Sequence, residues 1–396
     1  MLVSRHDALV LLRSSISSPK LLHTLRCSPC FGHPCLDNYD SVLRKGLGSI
    51  LNISLSDSQW LQASLPIKAG GLGIRRVSSL ALPAILASAA DTLPLQSSML
   101  RYSNTPMDPE YQAMLNHWQA ETKILNPDNT LIHKQSFWDK PLLDRVVNDV
   151  HASATDAYNQ ARLKAVSAPH SGDWLYALPI TACGLRLDDE AIRIATGLRL
   201  GTCLCEPHTC MCGALVTADG SHGLSCSLGP SRIARHSVLN DLICRCLIRA
   251  GFPAIKEPPG LSRTDGKRPD GLTLISWRSR RTLIWDATVT DTVAASYLPA
   301  TSVTAGAAAE LAATRKEAKY GPLLATHVFV PLALETLGPI NRTGLAFISE
   351  LGQNLTRISG DPRETSHLFQ RLSIVIQRFN AVAYRSTFDL PELDDV

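Results

Sequence analysis

Residues 265–292 read DGKRPDGLTLISWRSRRTLIWDATVTDT. Two apolar, β-branched runs, LTLISW (272–277) and TLIWDATV (282–289), flank the basic tetrad RSRR, a pattern that predicts a β-hairpin with a charged turn. The second run holds Asp286 among Leu, Ile, Trp and Val, and the first is entered through Pro269-Asp270. A carboxylate in a core is strongly unfavourable unless it is paired or coordinates a metal. Adjacent strands would bring Asp270 and Asp286 to one site, where a divalent cation would relieve that penalty. Hard oxygen ligands suit Mg²⁺, or Mn²⁺, with waters retained for a phosphate-directed reaction.

Downstream, residues 301–323, TSVTAGAAAELAATRKEAKYGPL, combine a Ser/Thr start, an alanine-rich interior and a Gly321-Pro322 stop, which predicts a helix. Lys316 and Lys319, spaced i, i+3, share one face of it. Cations near a helix carboxyl end are favoured by the macrodipole in any case, so spacing alone leaves a structural role open. Upstream lie a helix at about 188–198, a cysteine cluster, and a helix at about 232–250 that Gly251 stops.

The cluster, CLCEPHTCMCGALVTADGSHGLSC (203–226), has ligands in closely spaced pairs, as a tetrahedral Zn²⁺ site requires. Cys210, Cys212, His222 and Cys226 make one such set, with VTADGS as a turn between the halves. Cys205 and His208 compete for places in it, and Cys203 is more distant. Cys27, Cys30, Cys35 and His33 are also close together but lack a matching second half, so they read as structural.

Charge is unevenly placed. Residues 231–285 carry eleven Lys or Arg against four acids, a window of +7 in a chain whose net charge is +4. A basic band of this kind suits a phosphate backbone, which makes a nucleic acid the expected partner class. Lys267, Arg268, Arg278, Arg280 and Arg281, in the hairpin and just before it, are the candidate nucleic-acid contacts.

At 396 residues and 45% hydrophobic content the chain has ordinary globular composition, with room for two or three domains. The longest nearly uninterrupted apolar run, residues 80–90, is short of the roughly 20 residues a membrane span needs, so no span is expected. The amino terminus lacks a signal peptide's continuous apolar core, which points to an intracellular protein. Eleven cysteines, an odd number, argue against a disulfide framework there. The glycine cluster at 70–73 does not follow a β-rich run and is no dinucleotide fingerprint. The fold class is α/β, α+β overall, in the parts 1–95 (mainly helical), 96–185 (helical linker), 186–230 (helix and Cys/His knuckle), 231–385 (αβ domain) and 386–396 (acidic tail).

These residues together resemble a family. Pro-Asp, a second acid on the next strand and a lysine are similar to the PD-(D/E)xK restriction-like nucleases. The order of a Cys/His knuckle, RPDG, WDATVTD and KEAKY resembles the restriction-like endonuclease domain of site-specific non-LTR retrotransposon proteins, in which the lysine pair lies on a helix after the second acid. The resemblance implies a restriction-endonuclease-like domain in which Asp270 and Asp286 are Mg²⁺ ligands and Lys316 or Lys319 is the active-site lysine. Thr288, two positions after Asp286, departs from the general pattern, which leaves the migrated-lysine variant. Glu257 is a further metal-ligand candidate, because such cores often add an upstream acid. Asp291 reads as a loop residue or cap.

Residues 59–88 resemble the segment after the palm, the thumb region, of LINE-type reverse transcriptases. No Tyr/Phe-x-Asp-Asp centre occurs: Asp188-Asp189 reads as helical and Asp394-Asp395 lies in the tail. The chain therefore resembles the carboxyl-terminal portion, or a remnant, of a larger element protein. The implied activity is nicking of target DNA in the nucleus, with element RNA and a separate reverse transcriptase chain as further partners. The competing reading is a nucleic-acid-binding module whose nuclease fold is inactive, or a nonfunctional fragment.

Overall fold

The computed structural model describes residues 4–100, 109–229, 231–259, 261 and 268–388, without the side chains of Leu93, Ser97 and Leu100. Lys267 and most of the acidic tail lie outside the described residues. The protein is mixed α/β, mainly helical with a small mixed sheet. It divides into two units, Met1–Ala154 and Thr155–Val396.

The first unit is helical: α1 (Arg5–Leu11), α2 (Ser18–Cys27), α3 (Pro34–Leu51), α4 (Asp57–Ala63), α5 (Val77–Leu100), α6 (Pro109–Thr122) and α7 (Gln135–Ala152). Ser56 and Gln59 form a capping box at the start of α4. The buried Asp40 of α3 accepts from Val77 N (2.7 Å) and Ser78 N (3.1 Å), so a carboxylate closes the amino end of α5. Leu82, Leu86, Trp118 and Trp138 pack together, and the indole N–H of Trp118 donates to Trp138 O at 2.9 Å. The stretch Val77–Gln96 is long and apolar enough to cross a bilayer by length and composition; 59% of it is buried within the protein. It outruns the 80–90 run because small residues and Pro94 continue the same helix. His33 caps α3, its Nδ1 accepting from Cys35 N.

The second unit contains α8 (Ala157–Val166), α9 (Asp189–Leu200), a ribbon of β1 (His208–Thr209) and β2 (Leu215–Val216), then α10 (His222–Ser225) and α11 (Ser231–Arg249). There follow β3 (Ala254–Lys256), β4 (Gly271–Arg278), β5 (Arg281–Thr290), α12 (Leu298–Thr301), α13 (Ala307–Tyr320), β6 (Val328–Glu335), α14 (Arg342–Ser359) and α15 (Glu364–Arg385). The sheet order is β3-β4-β5-β6, with β5 and β6 parallel and α13 in the crossover between them.

The hairpin forms as its sequence predicts, with a tighter turn. Arg278 pairs with Arg281, and only Ser279 and Arg280 make the bend, both at positive φ (49° and 60°) as a two-residue turn of type I′ requires. β5 is covered on both faces, which explains its continuous apolar run. Leu283, Trp285 and Ala287 face the core built with α11, α14 and α15. Ile284 faces the other side with Tyr320 of α13 and Phe329. Asp286 belongs to the Ile284 row by the two-residue period of a strand.

α13 begins later than its Ser/Thr signal, because Gly306 (φ 79°) breaks the chain after α12. The fully buried Glu335, at the end of β6, accepts from Ala309 N at 3.1 Å and anchors the first turn of α13. Ala309, Ala312 and Ala313 lie against Ala333, so small side chains bring this helix close to the sheet. That closeness sets where its lysines reach.

Candidate functional site

Gly271 pairs with Trp285, and the antiparallel register carried one step further sets Asp270 opposite Asp286. Asp270 N donates to Trp285 O at 3.1 Å, fixing this end of the hairpin. Position 271 must be glycine: a Cβ there would stand 2.0 Å from the Trp285 ring. Trp285 is in turn held by its N–H, which donates to Asn240 Oδ1 of α11 at 2.7 Å.

Asp270 Oδ2 accepts from Ala287 N (2.6 Å) and meets His236 Nε2 of α11 at 2.9 Å. Asn240, one turn on, donates to Asp270 O at 3.1 Å. The Asp270 contact pushes the His236 imidazole to a higher pKa against its partial burial.

Asp286 is 3% exposed. Lys316 Nζ donates to its Oδ1, and Lys319 Nζ stands 3.9 Å from its Oδ2. Burial raises the pKa of Asp286, the Asp270 charge adds to the rise, and Lys316 and Tyr320 oppose it. Lys319 also donates to Tyr320 Oη at 2.8 Å, and the buried Tyr320 donates to Arg268 O at 2.9 Å. The crossover helix thus aims Lys316 at the carboxylate and ties Lys319 beside it. This answers how β5 tolerates an aspartate: the lysine of a neighbouring helix pairs with it, as buried charge demands.

Glu257 is exposed at the end of β3 (φ 47°), with its N–H donating to Asp270 O at 2.9 Å; it does not join the two aspartates as a third close carboxylate among the described residues. Asp291 is 7% exposed, accepts from Thr336 Oγ1 at 2.8 Å and from Val293 N at 3.3 Å, and has a pKa pushed up by burial to about 6.

The Cys/His group could bind a metal ion such as zinc: ligand atoms of Cys210, Cys212, His222 and Cys226 all lie within 4.8 Å of one another. Cys210 and Cys226 sulfurs are 3.8 Å apart, the separation of about 3.8 Å that two thiolates take on a tetrahedral zinc. Cys212 Sγ is 3.2 Å from His222 Nε2. The ribbon β1–β2 supplies the first pair and the short α10 the second. The competing candidates are outside this set of four: His208 Nε2 meets Thr387 Oγ1 at 3.0 Å and stacks on Phe388, and Cys205, though packed beside Cys210 and Cys226, points to the carbonyls of Thr217 and Ala218. Cys203 is exposed.

Among the basic residues, Arg278 pairs with Glu350, Arg281 donates to Leu324 O at 3.3 Å, Arg268 donates to Glu257 O at 3.4 Å, and Arg280 is exposed at the turn. The sequence reading missed His236 and Asn240. Their i, i+4 spacing on one face of a predicted helix was the available signal, but its meaning depends on α11 docking against the hairpin. No family model and no curated protein matches the chain.

Proposed function

We propose that residues 155–396 carry a metal-dependent DNA endonuclease of the restriction-like PD-(D/E)xK kind, with its lysine on α13. The observation that carries this reading is the buried Asp286 set opposite Asp270 in the hairpin register, with Lys316 on it. Two carboxylates whose charges oppose each other fit a hard divalent cation, Mg²⁺ or Mn²⁺, and Asp270 and Asp286 would hold it. When bound, such an ion polarises a phosphate and lowers the pKa of a water. Lys316 would stabilise charge developing on the phosphate oxygens, and Tyr320 and Lys319 would keep it in line. His236 would orient Asp270.

The Cys/His group would hold Zn²⁺ as a knuckle. Cys226 lies five residues before α11, so zinc would fix the start of the helix that carries His236. The order of knuckle, aspartates and helix lysine, together with the thumb-like segment at 59–88, supports descent from a site-specific non-LTR retrotransposon protein acting on nuclear DNA. In that setting a nick primes reverse transcription, for which a separate polymerase chain and element RNA would be the partners.

The test is cleavage of a labelled DNA duplex with Mg²⁺, with binding measured in parallel for the wild type and Asp286→Asn. Cleavage lost in the variant while binding persists is the expected result. Binding without cleavage by both proteins would identify an inactive nuclease fold used as a binding module.

A further inference from the structure

A cavity of about 450 Å³ opens beside the aspartates, lined by Arg232, Arg235, His236, Thr288 and Val289 at the start of α11 and the end of β5. It shares walls with the cluster at both sides. His236 is the residue that touches Asp270, and Thr288 follows Asp286 by two positions, on the same face of β5 and roughly 7 Å along it.

The charge in this cavity is unusual. Arg235 is 4% exposed, and its Nη1 has no hydrogen-bond partner. Nη1 has no accessible surface and does not face the cavity, so what Arg235 presents there is the charge of a buried guanidinium, which favours an anion in the cavity. Burial lowers its pKa to about 10; Asp291 opposes that shift and Arg232 adds to it. Asp291 therefore offsets the charge from within the protein without bonding Nη1. The exposed Arg232 supplies a second guanidinium at the same mouth, and α11, nineteen residues long, contributes the positive end of its dipole.

We infer that this cavity is a subsite for a DNA phosphodiester next to the one cleaved, held by Arg235 and Arg232 with His236 between subsite and cluster. The inference rests on the nuclease reading for its ligand. Arg235, rigid and buried, would set the register of the strand, and Arg232 would add attraction; neither reads sequence.

The experiment is the salt dependence of binding by the full chain to a short fluorescein-labelled DNA duplex without added Mg²⁺, followed by anisotropy. Arg232→Gln and Arg235→Lys are compared with the wild type and with Arg357→Gln, an exposed residue of α14. Arg232→Gln should weaken binding on the order of fivefold to tenfold and reduce the slope of log affinity against log salt by about 1, and Arg357→Gln should change neither. If Arg235→Lys does not fold, by circular dichroism, the exposed Arg232 decides. Unchanged slope and affinity in Arg232→Gln would overturn the subsite, as would a wild type that binds no DNA. Nicking with Mg²⁺, measured on the same preparations, separates the two claims. A wild type that nicks with no arginine effect keeps the nuclease and loses the subsite, whereas an arginine-dependent slope without nicking keeps a DNA-phosphate site in this cavity and loses the nuclease.

Discussion

Lys316 and Lys319 lie three residues apart on α13, and their spacing alone does not rank them. The fold does: Lys316 bonds Asp286, whereas Lys319 is 3.9 Å away and donates to Tyr320. Lys316→Ala should therefore lower single-turnover DNA cleavage about 100-fold, and Lys319→Ala by about tenfold or less. The opposite ranking would assign the chemistry to Lys319. A second residue-level consequence concerns Asp291, whose carboxyl is pushed up to about 6 by burial. A raised folded-state pKa gives stability that is fully present below the unfolded value of about 3.9 and lost as pH rises through about 6. Between about pH 4 and about pH 7 the wild type should lose up to about 3 kcal/mol relative to Asp291→Asn in urea unfolding. Parallel pH profiles for the two proteins would contradict this.

The elements differ in how far the sequence discloses them. The hairpin was legible because its strands and turn are neighbours in the chain, and the turn needed only the discovery that Ser279 and Arg280 suffice. The Cys/His group was legible for the same reason, since its four candidate ligands lie within 210–226. What remained hidden depends on docking between distant segments. His236 and Asn240 gain meaning only when α11 packs on the sheet, and Glu335 as the anchor of α13 only when β6 ends beside it. For Asp291 the local half, its bond from Val293 N, fits a loop or cap, while Thr336 comes from 45 residues away. The proposed knuckle makes its own prediction. Elemental analysis should find one zinc per chain, lost in Cys226→Ser together with thermal stability, because ligand binding to such a site is folding free energy. Cys205→Ser and His208→Ala should keep the metal. Zinc retained in Cys226→Ser would point to another ligand set.

Across the second unit, the basic excess of residues 231–285 is partly spent on the fold itself. Arg278 pairs with Glu350, Arg249 with Glu364, and Arg245 and Lys256 both with Asp241. The charge left for the proposed nucleic acid is therefore less than the window suggests: beside the paired aspartates it includes the exposed Arg232, while Asp291 offsets Arg235 and His236 meets Asp270. Attraction and proposed chemistry thus coincide at one end of the hairpin. The measurement that tests this most directly is nicking of supercoiled plasmid by the purified full chain with Mg²⁺, beside Asp270→Ala and an EDTA control. Metal-dependent nicking that Asp270→Ala abolishes is the predicted result. Nicking that persists in Asp270→Ala, or its absence from a folded, DNA-binding wild type, would contradict a nuclease built on Asp270 and Asp286.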